Sequence, residues 1–193
     1  MDIKRTVIGV GYISKGSYRS RVDGDMTHEY ISWRDMIHRC YNPRLVDKYP
    51  TYSDCEVHSE WHDFQNFAKW NDDSDFSGLG YHVDKDLLVQ GNKVYSPETC
   101  CLLPPELNFL IRIHSPNPTC LVGTTFHKRC GKWQSTISKN GKRVYLGLFD
   151  KEIDAHLCYV EEKEKFVREE AKLWRNYIDP RAYDALMNWR VNP

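Results

Sequence analysis

The sequence predicts an α+β fold: a ββα unit in the N-terminal part, then a three-stranded antiparallel sheet with a helix packed behind it. Three observations carry this. The stretch "YHVDKDLLV" followed by "GNKVYS" reads as strand, Gly-Asn turn and strand or loop, and "PPELNFLI" then opens a helix with Pro104 in its first turn. Farther on, "GTTFHKRCGKWQSTISKNGKRVYLGLF" gives three short strands with turns at "RCGK" and "KNGK", the second an Asn-Gly hairpin signal. A long helix opens at Asp150, and Ile153, Leu157, Tyr159 or Val160, Phe166 and Val167 form the apolar face that covers a sheet of three strands.

The remaining elements follow in chain order. "TVIGVGYISKGSYRSRV" alternates and carries Gly-containing breaks, which predicts an N-terminal β ribbon. Tyr30, Trp33, Ile37 and Cys40 or Tyr41 recur at helical spacing behind Thr27 as N-cap, and "YNP" stops that helix. A second helix starts at Ser59, carries Trp61, Phe64, Phe67 and Ala68 on one face, and ends in "NDDSDFSGLG". "HSPNPTC" has the Pro and polar content of a linker. After Asp179 and Pro180, "RAYDALMNW" predicts a short last helix. The expected organisation is therefore an N-terminal domain over 1–113 that includes the ribbon, a linker over 114–120, a sheet-and-helix domain over 121–178, and a C-terminal helix over 179–193.

Composition narrows the function classes. The 193 residues suit one large domain or two small ones. No apolar run approaches the roughly 20 residues needed to span a bilayer, and the N-terminus lacks the apolar stretch and small-residue cleavage site of a signal peptide. The expected location is the cytoplasm, with no membrane partner. Seven cysteines, an odd number that includes the adjacent Cys100 and Cys101, point to reduced thiols or metal ligation rather than a disulfide framework. The net charge of zero conceals segregation. From Asp54 to Asp86 nine acidic residues face only Lys69 and Lys85, whereas from Gly123 to Gly147 six cations stand without one Asp or Glu. A basic sheet of that kind is suited to phosphate and base-edge contacts in duplex DNA.

Cys55-x-x-His58 has the spacing of a zinc knuckle, with Cys40 upstream and Cys100 downstream to complete four N/S ligands and His38 in reserve. Those thiols would otherwise be buried as small hydrophobes. On the predicted strand, His82, Asp84 and Asp86 share one side by period two. Asp86 is then a second carboxylate beside Asp84, and His82 a candidate base.

Two family resemblances add to this. "GKW", "NGKRVYLGLFD" and the helix after them resemble the Apetala-two, or ethylene-response-factor, DNA-binding domain over roughly Leu121 to Glu170. The resemblance implies a sheet lying in the major groove and presenting Thr125, Lys128, Arg129, Lys132, Gln134, Thr136, Lys142, Arg143 and Tyr145 to double-stranded DNA. Thr125, Thr136 and Ser138 stand where that family carries charged base-reading residues, so its target site does not transfer. "YISWRDMIHRCYNP", "YPTYSDCEVHSEWHDFQNFAKW" and "DKDLLVQGNKVYSPETCCLLPPELN" resemble phage-type endonucleases of the HNH, or His-Me finger, class over about Val7 to Leu110. That resemblance implies catalytic positions at Asp84 and Lys85, beside which the strand period puts Asp86 as a second metal ligand or weak base, a magnesium or manganese ion on Asp84 and Asn108 if the site is active, and a bacteriophage or mobile-element origin. Lys85 stands where that class carries its catalytic His, and Thr99 near its middle Asn. A Lys with an ordinary pKa near 10.4 is a poor base. The expected function is a sequence-directed, metal-dependent DNA endonuclease. The alternatives are a catalytically degenerate scaffold that regulates by occupying DNA, and a counter-defence factor whose partner is a protein.

Overall fold

The computed structural model describes residues 7–113 and 119–191 and has a mixed α+β fold. Contacts divide the chain into two units. One comprises the chain up to Pro105 together with Tyr177–Ala182, the other Glu106–Asn176 and the chain from Tyr183 onward. The division falls at the start of a helix, upstream of the expected linker, of which 114–118 lie outside the described residues.

The first unit opens with an arm rather than a continuous ribbon. Val7 bridges Gly11, and only farther on do β1 (Arg21–Val22) and β2 (Asp25–Met26) pair, through Asp23 and Gly24, both at positive φ. Between these points the arm is held by side chains of a distant segment. Asp63 accepts the Ser14 N–H at 3.1 Å, while Gln65 accepts the Tyr18 N–H at 3.1 Å and donates to the Tyr18 carbonyl at 2.8 Å. Helix α1 (His28–Tyr41) begins at Thr27, whose hydroxyl accepts the Tyr30 N–H at 3.3 Å. "YNP" ends this helix and starts another: Asn42 closes α1 and caps α2 (Pro43–Lys48) by accepting from the Arg44 N–H. Strand β3 (Glu56–Val57) follows. The helix expected from Ser59 is divided, because Ser59–His62 form a 3-10 turn and α3 (Phe64–Asp72) starts afresh with Asp63 as its cap. Trp33, Trp61, Phe64 and Phe67, all essentially buried, make the centre of this unit's core, with Cys40, Cys55 and Cys100 in the same cluster.

Strand pairing corrects the sequence expectation in one important place. β4 (His82–Asp84) does not pair with the segment after the Gly-Asn turn. That segment, β5 (Val94–Tyr95), pairs in parallel with β3, whereas β4 takes β6 (Cys101–Leu103) as its antiparallel partner, with Asp84 opposite Cys101. A short alternating run specifies which face is buried but not which strand it meets. α4 (Pro105–Ile111) follows β6 directly, so the order strand, strand, helix stands, with a different second strand.

In the second unit, β7 (Thr124–His127), β8 (Lys132–Lys139) and β9 (Lys142–Phe149) form an antiparallel sheet in that order. Asn140 and Gly141 turn the β8–β9 hairpin at φ 51° and 75°, as an Asn-Gly pair favours. α5 (Glu152–Trp174) packs on the sheet through Tyr159 and Phe166 against Ile137, and Val160 and Leu146 extend this core. Gly123 approaches Tyr159 so closely that an added Cβ would lie 2.1 Å from its ring, at a backbone φ of 80°. α6 (Pro180–Asn188) is the expected last helix. No helix among the described residues is long and apolar enough to cross a membrane.

Candidate functional site

Asp84 ends β4, and its carboxylate closes the bend that follows. One oxygen, Oδ1, accepts both the Asp86 N–H at 3.0 Å and the Leu87 N–H at 2.7 Å. Burial pushes this carboxyl above its usual range, against the lowering effect of those two hydrogen bonds. Among the described residues the second oxygen has no hydrogen-bond partner, and a carboxylate oxygen is the type of donor that magnesium and manganese take. Asn108 sits half-buried on α4, in the second unit.

Lys85 differs from the sequence reading. The strand stops at Asp84, so period-two alternation relates His82 to Asp84 but does not extend to Asp86. Lys85 turns inward instead and is only 7 % exposed. Its ammonium donates to Asp86 at 2.6 Å and to the Asn92 carbonyl at 2.7 Å, and it lies 5.8 Å from the centre of the Tyr95 ring. Asn92 answers by donating to the Lys85 carbonyl at 2.8 Å. Lys85 therefore ties the bend after β4 to the Gly-Asn turn, and Asp86 is its counterion. Thr99 also has a local role, donating its hydroxyl to the Val94 carbonyl at 2.9 Å. His82 is exposed on β4.

The cysteine set is only partly gathered. Cys40, Cys55 and Cys100 lie buried in one core, and burial raises all three thiols, Cys40 and Cys100 to about 12. His58 is exposed at the entry to the Ser59–His62 turn, and His38 shares a contact with Asn42 Nδ2 at 3.2 Å. Among the described residues no three His, Cys, Asp or Glu side chains converge as a metal-binding group.

The sheet of the second unit has two distinct faces, and register identifies them. Ser135 and Ile137 are buried on the α5 side, so Lys132, Gln134, Thr136 and Ser138 of β8 occupy the outer side. Residues directly opposite share a face. Pairing thus adds Thr125 and His127 from β7, and Arg143, Tyr145 and Leu148 from β9. Lys139, by contrast, turns toward the helix, where it pairs with Glu162 and lies 4.8 Å from the centre of the Phe166 ring. Its opposite residue, Lys142, belongs by register to that helix side. Lys128 and Arg129 are exposed in the β7–β8 turn. Of the nine residues expected at DNA, six share the outer face, two lie at its turn and one lies behind.

Sequence reading missed His127 and Leu148. Leu148 is 42 % exposed and lies within "NGKRVYLGLFD", but it carries no charge, and only the register with Gln134 assigns its side. The β-bulge between Ser135 and Thr136 leaves Leu146 out of the cross-strand pairing, so counting by twos along β9 would mistake the faces. The cations of this face differ in their partners. Lys132 pairs with Asp150 at 3.0 Å, whereas Lys128, Arg129 and Arg143 have no carboxylate within ion-pair distance among the described residues. No protein-family model matches this chain, and no solved structure matches it significantly.

Proposed function

We propose that this chain is a double-stranded-DNA-binding protein whose outer sheet face holds the duplex, and that its β4–β6 pair, carrying Asp84, nicks DNA with a metal ion in the manner of an HNH-like unit. The observation that carries the binding half is the outer face itself: its strand residues include no acid, its middle is uncharged and its ends are cationic, with Asp150 beside Lys132 at one end. Phosphate contacts from the ends and base-edge contacts from the middle are what a strand-based major-groove reader requires. The nicking half is supported by the order of the antiparallel pair and helix, and by the partly committed carboxylate of Asp84. A magnesium or manganese ion held there would offset charge developing on a phosphodiester. Lys85 keeps its ammonium on two acceptors and serves as a fold-stabilising cation, so proton removal falls to another group. His82, two residues before Asp84 on the same strand, is the nearest candidate by position.

The same observation on Lys85 favours a second reading, a DNA-occupying regulator on a nuclease-like scaffold. One set of measurements separates them. Full-length protein is titrated against duplex DNA over a range of salt and incubated with supercoiled DNA plus magnesium, manganese or chelator. Four phosphate contacts from Lys128, Arg129, Lys132 and Arg143 give a log-log salt slope of about −3.6, at roughly −0.9 each. Asp84→Ala is expected to abolish nicking and retain binding. A flat salt response ends the DNA reading. Binding without nicking in every metal leaves the regulator, and nicking that survives Asp84→Ala moves the active site elsewhere.

A further inference from the structure

Resting on the DNA-binding reading, we infer that Gln134 and Leu148 form a base-reading pair for an A·T base pair, with Thr136 reading a second thymine about two steps along the groove. The register sets this out. Thr125, Gln134 and Leu148 lie in one row across the three strands, and Thr136 with Tyr145 forms the next row on the same face. Arg143 lies beyond, opposite Ser138, and Lys132 at the other end, opposite His127.

The chemistry of the rows differs from that of the ends. A carboxamide accepts from the adenine N6 amine through its oxygen while donating to N7 through its nitrogen, a bidentate match that guanine cannot supply. Leu148 beside it presents an exposed apolar branch, and the thymine C5-methyl is the apolar feature of the major groove. Thr136 carries a methyl and a hydroxyl. No Arg or Lys, the usual partners of guanine, occupies the outer face between Lys132 and Arg143. Spacing agrees with this assignment: two residues along a strand advance roughly 6.8 Å, and two base pairs about 6.8 Å at 3.4 Å each. Gln134 and Thr136 are thus in step with alternate base pairs. The bulge at Ser135/Thr136 adds local twist to a ribbon that must follow a helical groove.

The test uses the full chain and a pool of random-sequence duplexes. Selected duplexes should share an A·T pair, and replacing its adenine with 7-deazaadenine should weaken binding on the order of ten-fold. Uracil in place of the paired thymine should weaken it several-fold, an effect that Leu148→Ala removes. Gln134→Ala should bind adenine and 7-deazaadenine duplexes alike with an unchanged salt slope. Gln134→Glu should shift the preference at that position toward cytosine, whose N4 amine donates to a carboxylate. Thermal melting of each variant verifies folding. Salt-dependent binding with no A·T preference, or a preference unaltered in both Gln134 variants, overturns this inference and leaves the DNA reading intact. Absence of any salt-dependent duplex binding overturns both.

Discussion

Asp84 closes the bend after β4 with one carboxylate oxygen. Its Oδ1 is committed to two backbone amides, and burial holds the carboxyl above its ordinary range. The consequence for stability follows from which state ionises first. At low pH Asp84 is protonated in both folded and unfolded chains; as pH rises, the unfolded chain ionises first, so the folded state loses stability through the window up to the raised pKa. Asp84→Asn keeps an oxygen acceptor for the two amides and has no proton to lose. The variant is therefore expected to match wild type near pH 3 and to exceed it at pH 7. Thermal melts in chelator at both pH values measure this. Adding magnesium or manganese should narrow the gap by stabilising wild type alone. A difference that is constant with pH would show that the carboxylate ionises as freely in the fold as outside it.

At the scale of elements, the arm before β1 lacks a pairing partner of its own along most of its length and is held by α3 and its cap. Gln65 is the principal tie, because both hydrogen bonds of its buried carboxamide go to the Tyr18 backbone. Gln65→Ala removes both and leaves those groups to water, at a cost of about 1 to 3 kcal/mol. The expected result is earlier proteolytic cleavage between Ile13 and Arg19, with cleavage elsewhere unchanged. If the arm resists protease as well in the variant, Asp63 and the Tyr12–Asp63 bridge suffice to hold it. The second unit is built the other way, from a self-contained hairpin sheet. Its turn, strands and covering helix are each specified locally, and the apolar stripe of α5 supplies what the sheet needs on one side.

At the scale of the whole molecule, the acidic and basic stretches of the sequence fall into different contact units. A separation of that kind leaves the basic stretch to meet a polyanion without carboxylates interspersed along its strands. Structural zinc on Cys40, Cys55, His58 and Cys100 stays a proposal for the first unit. One zinc per chain in protein purified without chelator, with a lower melting temperature after its removal, is the outcome that supports it. Metal-free protein that melts unchanged leaves the three thiols as core side chains. Local sequence determined the elements whose cause is local: Thr27 as a cap, Asn140-Gly141 as a hairpin turn, the amphipathic period of α5, and the cations of the sheet. Tertiary structure decided what depends on partners far along the chain. β4 meets Cys101–Leu103 rather than the strand after the Gly-Asn turn, Lys85 is buried with Asp86 and the Asn92 carbonyl accepting its hydrogen bonds, and Leu148 joins Gln134 while Lys142 faces the helix side. A side chain's neighbours along the chain set its backbone conformation, but its face and its partner are fixed only when register and burial are, and those are properties of the packed molecule.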